Sequence, residues 1–576
     1  MKLKRIMPWV LMAGLALACA PTAPRPEAAA TTAPVAKAAA PTAAAPATAA
    51  PPSKSEAAPA PAQATPADQC EPGKEHWRSP GPAKRGGVLT RAGTLSGLDP
   101  TRPVGAGDPG PQIYNTLVET RGCRYGDPVM APSLARSWEI SPDGLTYTLK
   151  LRDNVKWHNK PPVNGRPFTS ADVAWSIEFH KSGTVVRSLW EGVSHEEPDP
   201  TTVVLRLQQP DADFLQKLGH YQNIMLAREV KDQHGDFSQV VVGTGAFMLQ
   251  EYKPGQSASM VRNPDYWEMG DDGKPLPYVD EVRTVEFQDY NAEVAAFRGS
   301  QIDYTGTFGM LKLEADAVKG ANPKLVMTQE LQFTHAGIWF RLDKAPWNDV
   351  RVRKAVLLTL DREDLIASNR GGAVHSAFVP AAMTEYAWPE AKMIDKFKLN
   401  RDEAKKLLQE AGIAPNSINV TLKTASQFAE DAEVAQQHLA QIGIQTKVVV
   451  EGRNFTTIIN GLNFDDLGWG VNPGQPNLNY WVGDFIRTGA SFNSIKFSDP
   501  QVDQLAVAQS RELDPVKRKV ITDQLQDRLF ETVPYAPTIS RIYYHFISCR
   551  IKNSALTKPN HNQASMKQAW IDPTGC

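Results

Sequence analysis

Apolar Leu145, Tyr147, Leu149 and Leu151 alternate with polar Thr146, Thr148, Lys150 and Arg152, the period of a strand with one face buried and one in water. Just ahead, Ser141-Pro142-Asp143-Gly144 puts proline second and glycine fourth, the chemistry of a type I turn. The spacing therefore predicts a β-hairpin whose sheet covers a core. Beyond a loop rich in Asn, Pro and Gly, Thr169 stands three residues before Asp172 and opens the run ADVAWSIEF, which predicts a helix capped by Thr169 with an acidic residue in its first turn. Further strands are predicted over Gly86 to Arg91, Thr202 to Leu207, Phe333 to Phe340 and Tyr535 to Phe546. Helical spacing runs from Arg351 to about Leu360, Lys405 to Ala411, Glu433 to Ile442 and Asp514 to about Glu531; the second and third end at Gly412 and Gly443, where a left-handed cap is natural. Val448, Val449 and Val450 then read as a buried strand, and helix, glycine, strand is an α/β order. Gly243 and Gly245, flanking Thr244, suit a tight backbone bend.

A chain of 576 residues is too long for one hydrophobic core and divides into about two to four domains. Its 41% hydrophobic and 22% charged content is that of a globular protein, and a formal charge of -1 gives no electrostatic reason to expect nucleic acid. The start of the chain changes that plain picture. Lys2, Lys4 and Arg5 precede a short apolar run, Ile6 to Ala18, that stops at Cys19; it is too short to span a bilayer and reads as a signal peptide over 1–18. Its end, Leu15-Ala16-Leu17-Ala18-Cys19, resembles a bacterial lipobox, with Ala16 where leucine is usual. This makes Cys19 the expected lipidation site. From Ala20 to about Gln69 the chain is nearly all Ala, Pro and Thr, a tether over 19–83 that cannot build a core.

Catalytic signatures are missing: there is no GxSxG, HExxH or GxxxxGKS/T. The 11 histidines are scattered singly, and a lone one such as His158 or His335 more often serves structure by hydrogen bonding. With Cys19 set aside, Cys70, Cys123, Cys549 and Cys576 remain. An even number in an exported chain allows disulfides in any of three pairings. No CxxC or His pair at ligand spacing points to a metal, and no cofactor is expected.

The stretch ARSWEISPDGLTYTLKLRDNVKWH resembles the signature of the family 5 extracellular solute-binding proteins, the peptide- and nickel-binding type of ABC importer. The resemblance continues through GGVLTRAGTLSGLDP, VVGTGAFMLQEYKPGQSASMVRNPDYWE, KAPWNDVRVRKAVLLTLDRE and FDDLGWGVNPGQP. It implies an α/β fold of two lobes, like a periplasmic binding protein of type II with an extra domain, joined by two hinge strands. Domain I would take 84–130, 241–332 and 539–576, domain II 131–240, and domain III, the second lobe, 333–538. Bridges among the four cysteines would then clamp the two ends of domain I.

The same resemblance places Pro103, Val104, Gly105 and Ala106 in a loop lining the ligand cleft, faced by Trp469, Val471 and Asn472, with His335 as a further ligand contact. In peptide-binding members an aspartate three residues after the cleft tryptophan pairs with the ligand's α-ammonium group; Asn472 stands there, an amide that cannot balance a desolvated charge. Trp190, Trp339, Tyr480 and Trp481 could add to an aromatic lining, and Arg341 replaces a usual asparagine. The implied function is delivery of a peptide-like or other medium-sized solute to the transmembrane subunits of an ABC permease by a monomer held to the membrane through its lipid, with no reaction catalysed. An exported hydrolase or a solute-sensing receptor subunit is the alternative role, and an oligosaccharide or metal chelate the alternative ligand.

Overall fold

The computed structural model describes residues 82–102, 109–122, 128–184, 186–287, 290–306, 309–451, 464–471, 477–490, 493–553 and 563–575. The leader, the tether up to residue 81, Cys19, Cys70, Cys123, Cys576, Pro103, Val104, Gly105, Ala106 and Asn472 lie outside these residues.

The predicted hairpin forms from Ala135–Ile140 and Thr146–Leu151, closed by a hydrogen bond from Gly144 N to Ser141 O at 2.8 Å. Gly144 has φ +68, a left-handed conformation that glycine adopts without the Cβ penalty. Tyr147, Leu149 and Leu151 are buried and Lys150 is exposed, as the alternation requires. The hairpin extends into a four-stranded antiparallel sheet, in the order 135–140, 146–151, 202–207, 193–199. Helix Ser170–Lys181 follows it, and at its start the Thr169 N–H donates to the Asp172 carboxylate at 2.8 Å, so the acidic residue satisfies a free N-terminal donor.

A second four-stranded sheet joins Val88–Ala92 to Glu281–Val285 in parallel, then to Ser257–Arg262 and Phe247–Lys253 antiparallel. The glycines before it do more than bend the chain. A Cβ on Gly243 would lie 2.0 Å from Ile113 O, and one on Gly245 2.5 Å from Gln112 O, so both residues are needed for close backbone approach.

The seven-stranded sheet has the order 326–331, 535–547, 336–340, 467–471, 418–424, 444–450, with 373–375 also on the long strand. Strand Ile418–Thr424, helix Ala429–Ala440 and strand Ile444–Val450 form a parallel crossover unit, and Gly412 (φ +76) and Gly443 (φ +83) take the left-handed conformation expected of them. The expectation of a buried strand at Val448 to Val450 needs correction. The strand is there, but Val448 and Val449 are half-buried and Val450 is 49% exposed, because Ile444–Val450 is an edge strand with a neighbour on one side only.

Apolar side chains gather in two large cores. One draws on residues from Leu89 to Val282 with Tyr304 and Ile547 to Trp570; the other runs from Phe333 to Ile539. The long strand Tyr535–Ile547 is shared: Tyr535, Ala536 and Ile539 lie in the second core, Ile547 in the first, and Tyr544 and Phe546 in a small third cluster with Phe297 and Val318. Cys549, the one cysteine among the described residues, is disulfide-bonded.

Two buried histidines lock the first core. The Gly243 N–H donates to His158 Nδ1 at 3.2 Å, and His158 Nε2 donates to Gly245 O at 3.0 Å. His180 Nε2 reaches Ile224 O at 2.9 Å and Nδ1 reaches Thr184 Oγ1 at 2.9 Å. Burial pushes each ring down to about 4. The unfolded chain takes up these protons below about pH 6.5, so the native state binds fewer protons between about 6.5 and 4, and stability falls as pH drops through that window. Urea unfolding should show a loss of roughly 2–4 kcal/mol between pH 7 and pH 5. Equal or greater stability at pH 5 would contradict the assignment.

Candidate functional site

Strand Leu467–Val471 lies between Ala336–Phe340, antiparallel, and Ile418–Thr424, parallel. Its Gly468 and Gly470 have no side chains to bury, so one face of the strand is flat and the other carries Leu467, Trp469 and Val471. Trp469 pairs with Ile338 on one side and Thr424 on the other, and the Thr424 hydroxyl donates to its carbonyl at 3.0 Å. The indole is fully buried in the second core, and its Nε1, like that of Trp481, has no hydrogen-bond acceptor among the described residues.

On the opposite face the bare glycines leave room for an aromatic cluster. Trp339, which pairs with Gly468 and Tyr535, stacks on the Tyr535 ring at 4.5 Å and 16°; His335 stacks on the same ring at 5.2 Å and 5°. Trp481 meets His335 edge-on at 6.0 Å, Phe378 meets Tyr535 edge-on at 5.4 Å, and Phe485 meets Trp339 at 5.8 Å. Burial pushes His335 down to about 3, which leaves it an uncharged aromatic ring near neutral pH. The cluster is a fully buried, largely apolar stack of rings.

The predicted site residues are thus distributed over two faces. Trp469 and Val471 share one, and the pairing of Val471 with Ala336 brings that strand end beside His335; His335 itself stacks on the other face. Of the further aromatic candidates, Trp339 and Trp481 join the cluster, Tyr480 is half-buried, and Trp190 is remote in the first core, donating to Asn223 Oδ1 at 3.0 Å. Arg341 forms a fork with Asp343 at 2.8 and 2.7 Å and donates to Phe464 O, which accounts for its charge without a ligand. Sequence reading missed Phe378, Phe485 and Tyr535 as members of the cluster, because their rings meet only through tertiary packing. Among the described residues no group of His, Cys, Asp or Glu could hold a metal ion, and no helix is long and apolar enough to cross a membrane.

The model of the bacterial extracellular solute-binding proteins, family 5, matches residues 129–552. The chain belongs to that family. Heme-binding protein A of Haemophilus influenzae is 26% identical over 478 residues, 77% of this chain and 84% of its own. A putative ABC transporter peptide-binding protein of Brucella ovis is 27% identical over 478 residues, 76% of this chain and 86% of its own. Among solved structures, the periplasmic binding protein DppA of Helicobacter pylori in complex with the peptide STSA superposes with a TM-score of 0.70 at 23% identity, covering 85% of this chain and 99% of that one. The two-lobed α/β fold is therefore that of the family 5 binding proteins, and the family's function, extracytoplasmic capture of a solute for an ABC transporter, is this chain's function.

Because Trp469 is fully buried between two strands, Trp469→Ala should lower the unfolding free energy by roughly 3–5 kcal/mol, the cost of emptying a large core site. A variant that keeps its stability but no longer binds solute would instead make the indole a cleft residue.

Proposed function

We propose that this family 5 protein is a lipid-anchored monomer that encloses a medium-sized solute between its two lobes and presents the closed form to an ABC permease. The observation that carries the reading is the division of the body into two cores that share the strand Tyr535–Ile547, in a chain whose family binds solutes. Solute touching both lobes stabilises the closed arrangement over the open one, and closure needs no other driving force. With this reading go the domain limits 84–130, 131–240, 241–332, 333–538 and 539–576, of which the change of core before Phe333 and after Ile539 supports the third and fourth boundaries. The short apolar run ending at Cys19 and the Ala/Pro/Thr tether behind it support a cleaved signal peptide and a lipid anchor. Binding without catalysis is favoured because His158, His180 and His335 are fully buried, away from any solute.

The ligand contacts we favour are Val104, Gly105 and Ala106 from one lobe and Val471 and Asn472 from the other, while Trp469 and His335, both fully buried, pack the core on the two faces of that sheet. Asn472 has no charge with which to compensate a buried ammonium. The preferred solutes therefore lack an obligatory free α-amino terminus. Titration calorimetry against matched free and N-acetylated peptides, with oligosaccharides and heme-type chelates alongside, should find binding that survives blocking of the amine. Affinity that collapses on acetylation would overturn this ligand class while leaving the transport role standing.

A further inference from the structure

At a second place the two cores meet through charge. The loop Asp211-Ala212-Asp213 precedes Phe214 and Leu218 of the first core, whereas Arg518 stands on helix Pro515–Thr532, whose Leu525 and Leu529 lie in the second. Arg518 grips Asp213 with both terminal nitrogens, at 2.6 and 2.9 Å, and the two side chains are only 4% and 2% exposed. The rest of the socket comes from the second lobe. The Asn479 backbone N–H donates to Asp213 at 2.9 Å and its side-chain amide to Asp211 at 2.8 Å. Gln509 accepts from Arg518 at 3.0 Å and donates to Asn479 at 2.7 Å. A backbone bond from Ala212 N to Ser510 O at 2.8 Å completes the seat. Nearby, the tip of the hairpin touches the same region: a Cβ on Gly144 would lie 2.5 Å from Leu513 Cδ1.

We propose that the Asp211–Asp213 tip and its Arg518 socket are an inter-lobe latch, engaged only when the lobes are closed, that sets how far solute must shift the closing equilibrium. The inference rests on the reading that the two lobes close on solute. A buried ion pair is tolerated only while both charges and their hydrogen bonds are in place, and removing one partner strands the other in a dry site. Opening returns the stranded charge to water, so a single substitution weakens the closed form without penalising the open one. Removing both charges takes the stranded charge away and restores part of the closure.

The latch can be tested with no ligand, in the full chain carrying Gly144→Cys and Leu513→Cys, by adding oxidised glutathione as the electron acceptor and following formation of the 144–513 disulfide by peptide mass spectrometry. The crosslink rate reports the closed population even when that population is small. Adding Asp213→Ala, or Arg518→Met on the other lobe, should slow crosslinking about tenfold or more, the consequence of an uncompensated buried charge. The variant with both changes should be slowed by less than the product of the two single effects. Equal rates in the parent and both folded single variants overturn the latch. Absence of the crosslink in the folded parent overturns the closing of these lobes itself, so the two failures are distinguishable.

Discussion

The strand Tyr535–Ile547 is the constraint on which the rest depends. Its first half pairs with Ala336–Phe340 and Ala373–His375, and its second half with Val326–Leu331, so one unbroken segment is hydrogen-bonded into both halves of the body. Two buried arginines fix where it starts. Arg353 donates to Val533 O at 2.7 Å and to Thr532 O at 2.7 Å, and Arg362 donates to Pro537 O at 2.6 Å while its guanidinium lies over the Phe397 ring at 4.1 Å. Burial lowers their affinity for protons, to about 10 and about 9, and still leaves both charged near neutral pH. A Cβ on Gly337 would lie 2.2 Å from Ala536 O, so the neighbouring strand approaches the long one only because glycine stands there. The connector from Leu331 to Ala336 passes beside the same stretch, where Leu331 pairs with Ile542 and Ala336 with Ile539. Two crossings side by side permit bending and resist twisting, which suits a pair of lobes that closes along one path.

Buried ion pairs recur where distant parts of the chain must be held together. Arg541, on the long strand, meets Asp431 at 2.7 Å; Lys567 meets Glu119 at 3.1 Å and Glu268 at 2.6 Å. Lys567, Glu119 and Glu268 all belong to the first lobe, and Arg541 sits on the shared strand itself, at the crossing, where bending separates the partners least. Asp213 and Arg518 have the same chemistry across two cores. The physical cost of breaking a dry pair is similar in each case, but only between lobes can it become a conformational preference.

Local features were legible in the sequence because local chemistry determines them. Leu145 to Leu151 gave its hairpin by alternation, Thr169 and Asp172 gave a helix start, and Gly412 and Gly443 gave left-handed turns after helices. The family, and with it the two-lobed fold, was legible in five motifs occurring in order. What was not legible depended on partners far away in sequence. The exposure of Val450 follows from the strand order, which puts Ile444–Val450 at an edge. The separation of His335 from Trp469 follows from the register of two strands more than a hundred residues apart. Asp213 and Arg518, separated by 305 positions, each look like ordinary solvated charges on a loop and an amphipathic helix, and only the tertiary fold turns them into a pair.

Small-angle X-ray scattering of the purified chain, with and without a solute that raises its melting temperature, tests the central claim most directly. A protein whose two lobes close on solute should become more compact, with a smaller radius of gyration and a shorter maximum dimension at saturating solute, and its melting temperature should rise over the same concentration range. An unchanged scattering profile at saturation, with binding shown independently by calorimetry, would contradict capture by closure.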